Sequence, residues 1–184
     1  PKLIFYSFLD SYYRKLYLKK GNFSKVLNIG TKYYSSHDEL KADPPKFDLY
    51  YAGSDQIWTV ASRKTVNRCH YLDFGPNSTK RISYAASLGQ GIVPDFMKDE
   101  MRNLLLKFDH ISVREDTGVK VIQEIVGKNK KVYQTIDPTL HLDAIDFESI
   151  METPNEKAEY IACYSIAIYQ KKHNDAIKYF SNKL

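Results

Sequence analysis

Arg114 lies in the segment Ser112-Val113-Arg114-Glu115-Asp116, directly after a short apolar run and directly before a stretch with helical periodicity. A guanidinium placed there can point into the crevice beside a helix N-terminus, so two sources of positive potential converge. A planar, permanently charged fork matches a carboxylate or phosphate bidentately, which suits a small anionic substrate better than a lysine would. The same side chain could instead pair with Glu115, Asp116 or a carboxylate of a neighbouring loop. Residue types alone leave both readings open.

Three further polar segments follow apolar runs in the same way: Gly53-Ser54-Asp55-Gln56, Ser87-Leu88-Gly89-Gln90 and Asp137-Pro138-Thr139. Gly53 lets the backbone turn or approach a ligand closely, while Ser54 and Asp55 offer a hydroxyl and a carboxylate to a ligand or to a helix cap. Small residues around Ser87 keep the backbone there accessible. Asp137 could accept from a ligand hydroxyl, or simply open a turn fixed by Pro138. Trp58, the one Trp, could stack on a sugar face or anchor a core. None of the five His residues makes a metal-spaced pair or a nucleophile–His–acid pattern, and neither a Walker loop nor a dinucleotide fingerprint occurs. No metal and no catalytic residue is assigned on this basis.

The elements that must position these groups are short strands alternating with amphipathic helices. Phe47 to Gly53 and Arg81 to Ala86 are predicted strands, bounded by Pro44-Pro45, by Gly75-Pro76, and by Gly89 and Gly91. From Pro94, read as an N1 proline, the apolar residues Phe96, Met97, Met101, Leu104, Leu105 and Phe108 keep the helical period. His110 to Val113 is a further strand, Asp116 to Val126 a helix closed by Gly127, and Lys131 to Ile136 a strand. This alternation predicts an α/β, Rossmann-like architecture with a mostly parallel sheet and helices on both faces. In such sheets ligands bind beyond the carboxyl ends of the strands, where all four polar segments fall. The organisation expected is a domain over 1–150, a linker over 151–159 and the start of a second domain over 160–184.

Composition sets the outer bounds. The chain has 184 residues, 43% hydrophobic and 27% charged, with no apolar run approaching the roughly 20 residues that span a bilayer. Cys69 and Cys163 stand far apart, giving no disulfide framework or zinc spacing, which fits a reducing compartment and a cytoplasmic location. The net charge of +5 is concentrated in residues 1–32, which hold seven Lys or Arg against one acid, so the remainder is slightly acidic and no nucleic-acid partner is expected. Within that basic segment, Leu3 to Leu18 reads as an amphipathic helix that either packs on its own protein or touches the inner face of a membrane.

Read together, DLYYAGSDQIW, YLDFGP, KRISYAASLG, FDHISVREDTGVKVI and TIDPTLHLD resemble, in order, the successive motifs of the polysaccharide pyruvyl transferase family across about residues 47 to 143. The resemblance implies a two-domain fold similar to the glycosyltransferase-B type, of which this chain would be most of the N-terminal half, without its first strand and glycine-rich loop. It further implies transfer of pyruvate from phosphoenolpyruvate to a saccharide as a ketal, in cell-surface polysaccharide biosynthesis of bacteria, with no cofactor. The acceptor could be lipid-linked. The arginine of the family's S-x-R-[DE] segment matches Arg114, implying that it binds phosphoenolpyruvate, while the general acid and base would lie outside this chain, leaving a fragment inactive by itself. Ser54, Asp55, Ser87 and Asp137 join Arg114 as expected substrate contacts. A degenerate, non-catalytic domain of the same fold and a sugar-nucleotide glycosyltransferase are the competing expectations, because a fold does not fix a function.

Overall fold

The computed structural model describes residues 32–60, 65–89, 92–148, 151, 175 and 177–180. The chain divides into two compact units, Pro1–Phe147 and Glu148–Leu184. In the second unit the described residues 175 and 177–180 are helical. The basic segment Leu3 to Leu18, Cys163 and most of the expected linker lie outside the described residues.

Among the described residues the first element is a short helix α1, His37–Ala42, which the sequence reading did not anticipate. Ser36 caps it by accepting from the Glu39 N–H, and the Glu39 carboxylate accepts from Ser35 in return. The aromatic run then forms β1, Leu49–Ala52, and the next predicted strand forms β2, Lys80–Ser83. Helix α2, Asp95–Leu105, buries Met97, Met101, Leu104 and Leu105. Pro94 is its N-cap and not its first residue, and Phe96 faces solvent although it keeps the apolar spacing. Strand β3, Ile111–Val113, is buried at every position, and helix α3, Asp116–Val126, has the predicted bounds with Gly127 as its C-cap. Strand β4, Val132–Gln134, and a short helix α4, Ala144–Phe147, follow.

β1 pairs with β2 and β3 with β4, both in parallel, with Ala52 opposite Ser83 and Val113 opposite Gln134. Isolated parallel bridges, Ile82 with His110 and Ala86 with Val113, join the two pairs. The fold is thus α/β with parallel strands, as expected, and their carboxyl ends gather on one side.

Two features hold this frame. Trp58 is fully buried, stacked on Tyr71 with ring centroids 5.4 Å apart and edge-on to Phe108 at 5.7 Å, and its indole N–H donates to the His70 carbonyl at 3.1 Å. The expectation that Trp58 stacks on a sugar is corrected, because neither ring face reaches solvent. Arg81, also buried, meets no carboxylate through its guanidinium among the described residues. Instead it donates to the carbonyls of Leu72 at 3.0 Å, Thr79 at 2.8 Å and Phe74 at 2.7 Å, with Gly75 and Pro76 behind at 3.4 and 3.2 Å. The YLDFGP segment is therefore folded around a cation, which shares the Leu72 and Pro76 carbonyls with the N–H groups of Phe74 and Thr79.

Candidate active site at the strand ends

Each site residue is delivered by a strand end. Ser54 and Asp55 follow β1, Ser87 follows the bridge residue Ala86, Arg114 and Glu115 follow β3, and Asp137 lies beyond β4. The register beneath them is fixed by a ladder of hydroxyls. Ser83 Oγ donates to the Ser112 carbonyl at 3.0 Å, Thr135 Oγ1 donates to Ser112 Oγ at 3.0 Å, and the Ala85 N–H is received by Ser112 Oγ and Thr135 Oγ1, both at 3.1 Å. These side chains tie β2, β3 and the residue after β4 together, so the loops above them have little freedom to shift.

Arg114 stands at the centre. Its Nη1 donates to Asp137 Oδ2 at 3.0 Å, its Nε to Glu115 Oε1 at 3.0 Å, and its Nη2 to Asp55 Oδ1 at 3.2 Å. Asp116, the other sequence-expected ion-pair partner, turns away to accept from the Thr117 N–H. The guanidinium holds its proton more firmly than an isolated arginine, chiefly through the Asp137 hydrogen bond and then through Glu115 and Asp55. The Asp137 carboxyl is pulled down to about 2 by hydrogen bonds from the Thr139 hydroxyl and N–H, and then by the one from Arg114. Asp137 is therefore an anion that orients and does not exchange protons near neutrality.

The remaining expected contacts separate into accessible and buried groups. Ser54 is partly exposed and donates to Asp137 Oδ2 at 3.4 Å. Ser87 is fully buried, so its expected contact with substrate is corrected to a supporting one: its Oγ donates to Glu115 Oε1 at 2.6 Å and accepts from the Gly89 N–H at 3.1 Å. Glu115, considered from sequence only as an ion-pair partner, thus joins the Arg114 cluster to the Ser87 loop. Its Oε2 is buried without a partner among the described residues.

An aromatic group missed by the sequence reading flanks this cluster. Tyr51 in β1 and Tyr84 just after β2 lie nearly parallel, with centroids 6.4 Å apart. Tyr84 also faces His141, at 6.0 Å between centroids, and its hydroxyl shares a hydrogen bond with His141 Nε2. Gly53 makes the arrangement feasible, since a Cβ there would stand 2.2 Å from the Tyr84 carbonyl oxygen and 3.2 Å from the Tyr51 hydroxyl. Burial raises the Tyr51 phenol above its ordinary value, with Tyr84 and Asp137 adding to the shift. The available signal was positional: Tyr84 and His141 sit within a few residues of Ser87 and Asp137.

Parallel strands with polar and aromatic groups collected at their carboxyl ends define an α/β protein, with those groups on the side where ligands bind in sheets of this kind. A family model described as Polysaccharide pyruvyl transferase matches residues 1–183, and the chain belongs to that family, a family of transferases of polysaccharide biosynthesis. Comparisons with curated proteins and with solved structures return no match. Among the described residues, no helix is long and apolar enough to cross a membrane.

Proposed function

We propose that the protein transfers pyruvate from phosphoenolpyruvate to a saccharide hydroxyl pair as a ketal, for cell-surface polysaccharide, and that Arg114 holds the carboxylate or phosphate of the donor. The observation that carries this reading is the unequal hold on the Arg114 fork. Asp137 and Glu115 fix Nη1 and Nε from partly buried positions, whereas among the described residues Nη2 meets only Asp55, whose side chain is 78% exposed. An incoming anion can replace Asp55 on that nitrogen without disturbing the other two contacts, and an exposed ion pair is cheap to break. Ser54, Asp55 and Asp137 then border the donor.

The chemistry requires a proton for the enol carbon, a base for each attacking hydroxyl and cations for the phosphate. Arg114 supplies only a cation, and Asp137 is too acidic to act as the base. The proton-transfer groups therefore belong to other residues of the complete protein, in keeping with a two-domain, glycosyltransferase-B-like arrangement built on a Rossmann-like half. Cytoplasmic location, with contact to the membrane face through the basic segment Leu3 to Leu18, belongs to the same proposal.

A second reading is favoured by one specific observation, that a single guanidinium sits among three carboxylates. On this reading Arg114 is a structural clasp in a non-catalytic binding domain. Calorimetric titration of the complete protein with phosphoenolpyruvate separates the two. Binding that disappears in Arg114→Ala supports the donor role, and unchanged affinity makes Arg114 a clasp. Product analysis with labelled phosphoenolpyruvate tests the reaction, because a product without the pyruvyl carbons overturns it.

A further inference from the structure

The geometry points to the Tyr51–Tyr84–His141 surface as the platform on which the saccharide acceptor rests, an inference that builds on the pyruvyl-transfer reading of the same strand ends. Asp137, which holds Arg114, caps the 3-10 turn Pro138–His141 that carries His141, and Ser54, which donates to Asp137, follows the strand that carries Tyr51. The aromatic group and the arginine are thus borne by the same short segments, one beside the other.

A saccharide presents apolar C–H faces edged by hydroxyls, and a site for it needs ring faces together with neutral or anionic acceptors. Tyr51 and Tyr84 are partly exposed, His141 is exposed, and the shared Tyr84–His141 hydrogen bond holds the two rings in a fixed relation. The polar atoms of the group are two phenols and an imidazole, with the Asp137 carboxylate nearby. That set suits a neutral polyol and disfavours a second anion. The unequal surroundings, a guanidinium on one side and aromatic rings on the other, assign donor and acceptor to different parts of the strand-end surface.

The test uses saturation-transfer difference NMR on the complete protein with methyl glucoside, methyl galactoside and methyl mannoside as probes, beside calorimetry with phosphoenolpyruvate. At least one glycoside should receive saturation at its ring protons. His141→Ala and Tyr84→Ala should weaken that glycoside about 3- to 10-fold, the range expected for loss of one aromatic contact, and leave phosphoenolpyruvate affinity within twofold. Tyr84→Phe keeps the ring and serves if Tyr84→Ala does not fold; it should retain the ring-proton transfer. Absence of saturation transfer to every glycoside in the wild type overturns the platform, as does unchanged glycoside affinity in folded His141→Ala. Glycoside binding that depends on these rings in a protein that ignores phosphoenolpyruvate would leave the platform standing and reject the pyruvyl donor.

Discussion

Arg114 Nη2 donates to Asp55 Oδ1 at 3.2 Å, and of the three described carboxylates on that guanidinium Asp55 is the one whose side chain is mostly in solvent. In the proposed site this carboxylate competes with the donor anion for the same nitrogen. Asp55→Asn should therefore leave the fold unchanged and tighten phosphoenolpyruvate binding by up to about fivefold, the worth of an exposed ion pair. The effect should shrink as salt is raised, because the competing pair is screened. Calorimetric titration at low and high salt measures it, and a large loss of affinity would instead make Asp55 a direct ligand.

Asp137 gives a pH dependence with a definite sign. Its folded carboxyl titrates at about 2, below the 3.8 of the ordinary aspartate, so folding favours the charged form. Its contribution to stability is complete above the ordinary value and disappears as pH falls through about 2. In urea unfolding series, wild type should lose stability between about pH 4 and pH 2 more steeply than Asp137→Asn. Parallel profiles for the two proteins would rule out this role for Asp137.

Arg81 is a stability residue and should have little to do with substrate. Replacing it by Met removes the donors from several carbonyls at once, at a cost of about 3 kcal/mol or more. A chain of this size should then melt roughly 6–12 °C lower. Thermal unfolding followed by circular dichroism checks this, and a shift of about 1 °C would show that water replaces the guanidinium at little cost.

Trp58→Phe separates a core anchor from a sugar contact. It keeps an aromatic ring against Tyr71 and Phe108 but loses the hydrogen bond to the His70 carbonyl, so stability should fall by about 1–3 kcal/mol. Acceptor KM should not change. A raised acceptor KM with unaltered melting would restore the sugar-stacking role.

Elements whose signal is local were readable from the sequence. Helix α3 emerges with the expected bounds because the periodic apolar residues Ile122, Ile125 and Val126 end at a glycine suited to the C-cap. The parallel direction of β2, β3 and β4 follows from the alternation of strand and helix, whereas the described residues between β1 and β2 hold only a 3-10 turn, Arg68–Tyr71; Arg114 occupies the strand end assigned to it. What was hidden depends on contacts distant in sequence. Ser87 and Ser54 look alike as strand-end serines, yet Ser87 is buried with its hydroxyl on Glu115, whereas Ser54 is partly exposed. Tyr84 and His141 are 57 positions apart, and neither residue type announces a partner. Arg81 escaped notice for a related reason, since its acceptors are main-chain oxygens that every residue carries.

That arrangement bears on how ancestry and activity are inferred in such chains. YLDFGP and KRISYAASLG are among the segments by which this sequence resembles its family, yet much of what they share is an internal bond between Arg81 and the backbone of residues 72–76. Selection for a foldable chain is enough to preserve them. A descendant could discard its catalysis and still carry both segments intact, so membership read from them records lineage. On the proposed donor role, the residues that would report continued activity are Arg114 and its partners Asp55, Glu115 and Asp137.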